Sequence, residues 1–380
     1  MRDANSFVAS SREAIQRSAP HIYVSAVPFA ARDSLVYSIF YRQCTGLISV
    51  ETLGIGRHGG RLAMSLAGHT KTVKAIAYLP DGRLASGSYD GTVRIWNMRT
   101  GGESMPHFAS GDGDVRSVAV AQTGKSLASG TETGIVCLWS LEAPREPPRR
   151  LRGHDGWVYS VAFSPDGQLI ASVGSNGLCL WDVETGQQVS VTSATKDIRA
   201  IVFSPDGNIM ASLSNDKEVW LWRLSDIPTV VHVLGHKTMV SSMCFSPDST
   251  KLATYTRKTK PTIQLWEMAT RTTIFTFGGV SESVRSIQFS PDGGSLMSVS
   301  DDRGVELWKL DRDVKDETSV LLGGQWVSIE SATHSPDGLY IALTYSYSEV
   351  LHSEIQIWDV GSSPEATEPL PAHDGAVRSV

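Results

Sequence analysis

Cysteine is scarce in this chain. Four residues among 380, with no C-x-x-C pair, exclude a disulfide framework and leave no close thiol pair for zinc. Long apolar runs are missing too. None approaches the ~18 residues that a membrane span needs. The first stretch carries Arg2, Asp3, Arg12, Glu13 and Arg17 and has no apolar core of a secretion signal. No Asn-x-Ser/Thr glycosylation acceptor occurs. Positive charge is not in excess: 34 Lys and Arg against 40 Asp and Glu leave a formal charge of −6. An acidic chain is a poor general binder of nucleic acid or of anionic membrane, and neither is expected as a partner. These absences lead to the expectation of a soluble protein of the reducing cytoplasm.

Tryptophan, by contrast, is abundant and periodic. Trp96, Trp139, Trp181, Trp222, Trp266, Trp308 and Trp358 stand 43, 42, 41, 44, 42 and 50 residues apart. A turn marker keeps step with them: YLPDG at 78–82, FSPDG at 163–167, 203–207 and 289–293, FSPDS at 245–249 and HSPDG at 334–338. Gly-His recurs at 68–69, 153–154 and 235–236. Within each unit, runs of Val, Ile, Leu, Phe and Trp alternate with Pro-Asp-Gly and Asp-Gly turns, the pattern of short antiparallel strands. Four strands per ~42-residue unit predict a blade of a β-propeller. Such a blade is apolar on both faces, so it must stack on neighbours, and the ring must close to remove its edges.

These spacings, turns and tryptophans resemble the WD40 repeat family over roughly 61–380. The Trp-Asp pair itself survives only at 181–182 and 358–359. The resemblance implies an all-β propeller of seven clear blades, each of four antiparallel strands, plus a degenerate N-terminal repeat, with eight blades left open. The expected organisation is a flexible segment 1–20, degenerate repeat and closure strands over 21–66, the propeller over 67–372, and the start of a truncated further repeat at 373–380. Either RLAMSLA (61–67) or ATEPLPA (366–372) is available as the outer strand of the last blade. The stretch SAPHIYVSAVPFAARDSLV (18–36) resembles the block that precedes the repeats in fungal NACHT-type signalling proteins. Together with HDGAVRSV (373–380), which opens a repeat and stops, it suggests a fragment of something longer.

His69, Ser86, Asp90 and Trp96 lie within one repeat and could be taken for a catalytic triad. The family resemblance implies instead a buried hydrogen-bonded tetrad that pins a hairpin turn to the neighbouring loop. The third unit has His154, Ser172, Asn176 and Trp181 at the same positions. The second lacks the His (Gly111), and the fourth and sixth have Ala194 and Val280 there. Gly124-Lys125-Ser126 echoes a phosphate-binding loop, but position 119 is Ala where that motif needs Gly, and the tripeptide sits in a hairpin turn. Cys137 and Cys179, each two residues before a repeat Trp, are expected as packed thiols. No metal, cofactor or catalytic residue is expected.

A propeller without chemistry of its own presents loops. The family's narrow-face positions, carried onto this chain, lie on either side of the first strand's Val or Ile and before the turn Asp. Among them Lys74, Tyr89, Arg116, Trp157, Tyr159, Arg199, Met239, Arg285 and Glu330 are the candidate partner-binding residues. Four of the seven positions after that Val or Ile are cationic. Arginines beside aromatic anchors suit interface hot spots and acidic or phosphorylated peptides. The bland alternative is a solvated rim whose charges pair with Asp114, Asp197 and Glu132. Two functions are therefore carried forward: the partner-recognition region of a fungal NACHT-type signalling protein, or a stand-alone adaptor of a multiprotein complex such as a ubiquitin ligase.

Overall fold

A computed structural model describes residues 61–192, 198–214, 217–224, 229–257, 261–310, 320–322, 328–346 and 354–360. The blocks at 18–36, 366–372 and 373–380, and most of the proposed degenerate repeat, lie outside the described residues. Among those described, every regular element is a strand, and the strands form seven four-stranded antiparallel sheets. Among the described residues, no helix is long and apolar enough to cross a membrane.

Each sheet is one blade, numbered 1–7 along the chain, with strands a to d from the inside outward. Blade 1 comprises Val73–Tyr78, Leu84–Ser88, Thr92–Trp96 and Phe108–Ala109. The a strands of blades 2 to 7 are Val115–Val120, Val158–Phe163, Ile198–Phe203, Val240–Phe245, Val284–Phe289 and Ser328–His334. Each a strand lies against the next, and that of blade 7 lies against that of blade 1, so the ring is closed. Side chains stitch the a strands together: Ser117 Oγ accepts the Val161 amide at 3.1 Å, and Ser242 Oγ accepts the Ile287 amide at 3.0 Å.

The ring closes with the strand that precedes blade 1 in the sequence. Arg61–Leu66 is strand d of blade 7, antiparallel to Ile355–Asp359, with Leu62 opposite Trp358 and Leu66 opposite Ile355. Leu66 is buried in a cluster with Trp96, Ile355 and Ile357, so the closing strand also joins the core between blades 7 and 1.

The blades hold because both faces are apolar. Strand b of blade 1, LASGS, is buried at all five positions. Ile95, Val93, Leu127 and Trp139 form one cluster across blades 1 and 2, and equivalent clusters join later pairs. Trp96 and Trp181 are 1% and 2% exposed. Burying ~200 Å² of a tryptophan contributes about 5 kcal/mol by area, before entropy is counted. Small residues set the blade spacing: a Cβ on Gly130 would stand 2.6 Å from Val158 Cγ1.

The a–b turns explain the second sequence marker. In SPDG at 164–167, Asp166 Oδ1 accepts from Ser164 Oγ at 2.5 Å and from the Gln168 amide at 3.0 Å. Gly167 takes φ +72°, where a side chain is strained. In blade 5 a serine fills that position: Ser249 adopts φ +61° and its hydroxyl accepts the Asp206 amide of blade 4 at 3.0 Å.

Candidate functional site

In every blade the pairing of strands a and b slips by one residue at the same place. The slip falls between Val73 and Ala75, Val115 and Ser117, Val158 and Ser160, Ile198 and Ala200, Val240 and Ser242, Val284 and Ser286, and Ile329 and Ser331. The skipped residues are Lys74, Arg116, Tyr159, Arg199, Ser241, Arg285 and Glu330. A β-bulge leaves its extra residue unpaired and re-aims its side chain. Seven bulges thus set one ring of side chains at the start of the inner strands. These are the seven positions that the sequence singled out after the strand's first Val or Ile.

Contacts around that ring are uneven. Lys74 is ion-paired with Glu330 across the blade 7–blade 1 junction. Its ammonium also stands 5.8 Å from the Tyr89 ring centre. The Arg116 guanidinium lies over Tyr89 at 5.4 Å and over Trp157 at 3.9 Å. Trp157 meets Tyr159 edge-on at 6.4 Å, and the Arg199 guanidinium lies over Tyr159 at 4.4 Å. A continuous rail of alternating charge and aromatic rings therefore runs from blade 7 through blades 1, 2 and 3 to blade 4. On the other side of the ring, Arg285 makes a two-pronged pair with Asp301, Nε at 2.8 Å and Nη2 at 2.7 Å, and Asp301 also accepts the Ile329 amide. Met239 is half-buried, and its carbonyl accepts the Arg257 amide.

Among the described residues, carboxylates other than Asp114 and Glu132 meet two of the rim cations. Glu330 meets Lys74 and Asp301 meets Arg285, whereas Asp114 stands 4.0 Å from Lys71. Glu330, a candidate partner contact by its position after Ile329, meets Lys74 because blade 7 lies against blade 1, which nothing local in the sequence shows. Asp197, Asn215 and the tip Lys258–Lys260 lie outside the described residues.

The tetrads sit beneath this rim. In blade 1 the Trp96 indole N–H donates to Ser86 Oγ at 2.7 Å, and Ser86 stands 2.7 Å from His69 Nε2. His69 Nδ1 donates to Asp90 Oδ2 at 2.9 Å, because a carboxylate can only accept. Burial alone would push the Asp90 carboxyl up, yet hydrogen bonds from His69, Thr92 and the Thr70 amide hold it well below the usual carboxylate range. Ser86 is fully buried, so its oxygen is spent inside the network and cannot meet a substrate. Blade 3 repeats the chain with Asn176: Trp181 to Ser172 at 2.8 Å, Ser172 to His154 at 2.7 Å, and His154 to Asn176 Oδ1 at 2.7 Å. Asn176 Nδ2 donates to the Gly153 carbonyl, which turns its oxygen toward the histidine.

Worn tetrads are patched by residues that the sequence did not flag. In blade 2, where Gly111 replaces His, Asp112 takes Arg150 Nε at 2.5 Å and lies 3.8 Å from Cys137 Sγ. Burial pushes the Cys137 thiol up to about 12, and the Asp112 charge adds to it. In blade 5 the His236 ring meets Thr254 Oγ1 at 3.0 Å and the Leu234 carbonyl at 3.2 Å instead of an Asp. In blade 6, Asp302 accepts from Ser281 and Ser283 in the absence of a His. In blade 7 the buried Trp358 N–H has no hydrogen-bond partner among the described residues. Asp216 and Ala194 of blade 4 lie outside them. No group of three or more His, Cys, Asp or Glu side chains converges as metal ligands among the described residues. Gly124 and Lys125 occupy an a–b turn at φ +69°, with Lys125 Nζ 3.2 Å from Glu142, which is not a phosphate cradle.

Comparison with known proteins follows the same blades. The family described as WD domain, G-beta repeat matches residues 60–97, 103–140, 145–182, 186–223, 228–267 and 271–309. The chain is 34% identical over 102 residues to the vegetative incompatibility protein HET-E-1 of Podospora anserina, covering 27% of this chain and 7% of that protein. It is 32% identical over 157 residues to the nuclear distribution protein nudF of Emericella nidulans, covering 36% of this chain and 35% of that one. With the human WD repeat and SOCS box-containing protein 1 it shares 27% identity over 203 residues, 38% of this chain and 48% of that protein. The chain thus spans less than half the length of these curated relatives.

Proposed function

We propose that this chain, which belongs to the WD40 family, acts without catalysis as a module that holds a protein partner on its ring of bulge residues. The observation that carries this reading is the rail itself. Seven bulges set side chains at equivalent places around the ring of inner strands, and the rail's largest apolar group, Trp157, is left 48% exposed. Arginine and tryptophan are the residues that dominate protein interfaces. Among the described residues, the triad-like sets of blades 1 and 3 are closed on themselves by the indole hydrogen bond, which argues for recognition and not for acyl transfer. An acidic or phosphorylated peptide is the partner chemistry that the cationic positions favour.

Within that function, we favour the partner-recognition region of a fungal NACHT-type signalling protein. The similarity to a much longer fungal vegetative incompatibility protein and the block at 18–36 support it. The alternative, a stand-alone adaptor, draws support from the similarity to a nuclear distribution protein and to a WD repeat and SOCS box-containing protein. The test is affinity capture with the wild-type chain and with Arg116, Arg199 and Arg285 all reversed to Glu. The triple variant should keep a cooperative melt and lose the wild-type partner. Undiminished capture would overturn the assignment of the rim.

A further inference from the structure

We propose that the partner is an acidic peptide segment seated off centre, over blades 1 to 4, with a carboxylate on Arg116 and an apolar side chain on Trp157. This inference rests on the reading of the rim as the partner site and narrows it.

Charge balance divides the ring. Of the four cations on bulges, Lys74 is held by Glu330 and Arg285 by Asp301, whose carboxylate it grips with two nitrogens. A partner carboxylate that approached either would have to displace an internal one. Arg116 is different. It has no carboxylate partner among the described residues, and its Nε is buried without a hydrogen bond. The guanidinium charge is therefore not neutralised by an internal carboxylate among the described residues.

Geometry decides the shape of that ligand. The Arg116 guanidinium carbon stands 5.4 Å from the Tyr89 ring centre and 3.9 Å from that of Trp157, so it sits between two aromatic side chains. Its two terminal nitrogens make no hydrogen bond or ion pair among the described residues, and a planar pair of N–H donors matches a carboxylate. The flanking rings lower the local dielectric and strengthen that pairing. Trp157 is half exposed beside it and supplies an apolar shelf. Arg199 over Tyr159 continues the same surface onto blade 4. Among the described residues, blades 5 to 7 present Ser241, the Arg285–Asp301 pair and Glu330 at the matching positions, and none of these is aromatic. The formal charge of −6 repels an anion in proportion to the anion's charge, so it disfavours a nucleic-acid strand far more than a short peptide with a few carboxylates. Recognition must come from a few short-range contacts, which a peptide with two or three carboxylates provides.

The experiment uses the full chain and a fluorescein-labelled peptide with glutamates on both sides of a leucine, read by polarisation. The same peptide with glutamines, with phosphoserines, and an oligodeoxythymidine serve as comparators. The glutamate peptide should bind, and the glutamine peptide should bind at least ~10-fold more weakly. Arg116→Gln and Trp157→Ala should each lose ~10-fold or more, Arg285→Glu should lose less than either, and Lys125→Glu, on an a–b turn outside the rim, should stay within ~2-fold. Arg116→Lys keeps the charge but not the planar fork, so it should also weaken binding, with a melt close to wild type. Equal losses in Arg285→Glu and Arg116→Gln would overturn the off-centre seat and leave the rim as the site. Equal binding by all variants would overturn the rim reading itself. Tighter binding of the phosphoserine peptide or of oligodeoxythymidine, or no binding of the glutamate peptide, would overturn the carboxylate partner.

Discussion

Replacing His334 by Phe should make the propeller more stable and remove part of its sensitivity to acid. Four other a–b turns carry Phe at this position, and Phe163, Phe245 and Phe289 are buried there. His334 is 7% exposed, and neither ring nitrogen has a hydrogen-bond partner. Two orphaned polar atoms cost about 1–3 kcal/mol at neutral pH, which Phe would recover. Burial also pushes the imidazole down to about 4, while the nearby Asp292 carboxylate pulls weakly the other way. The folded chain therefore refuses a proton that the unfolded chain accepts near the ordinary value of 6.5. Above that value the group is neutral in both states and its contribution is fully present. As pH falls toward about 4 the unfolded state gains protons alone, so stability is lost. Between pH ~7.5 and ~5 the loss attributable to His334 is about 2 kcal/mol. His154 and His236 are also lowered by burial, but both proteins keep them, so their effect cancels in the difference. Urea unfolding followed by tryptophan fluorescence at the two pH values measures it. Equal acid sensitivity in wild type and His334→Phe would refute the reasoning.

Other expectations follow from single contacts. His69→Ala leaves Ser86 and Asp90 without their shared partner and should cost ~1–3 kcal/mol in the same urea assay. Leu66→Ala cuts the closing strand out of the core at the blade 7–blade 1 junction and should cost ~2–5 kcal/mol, with scattering checked for an opened ring. Gly130→Ala places a Cβ 2.6 Å from Val158 and should destabilise by ~1–3 kcal/mol, whereas Gly235→Ala, with nothing within 4 Å, should be near neutral. Cys137, Cys179 and Cys244 are buried, with thiols pushed up by burial, so iodoacetamide should spare all three until urea is added; prompt native labelling in a mass spectrum would contradict that packing.

What the sequence determined by itself is whatever one blade encloses. The ~42-residue period, the Ser-Pro-Asp-Gly turns and the chain from Trp96 through Ser86 and His69 to Asp90 are local, because each connects residues within one repeat. The bulge positions were legible for the same reason, as they follow the first apolar residue of each inner strand. The patches in the worn blades were not, since Asp112 with Arg150 breaks the repeat pattern and has no periodic signature. Ring closure, blade number and rim charge belonged to the tertiary structure. Arg61 lies opposite Asp359 only because seven twisted blades bring the chain back on itself, and only then do Lys74 and Glu330 meet. Periodicity dictates which side chains stand at equivalent places around the ring of inner strands. The angle between successive blades decides which of them neutralise one another, and so which are left for a partner.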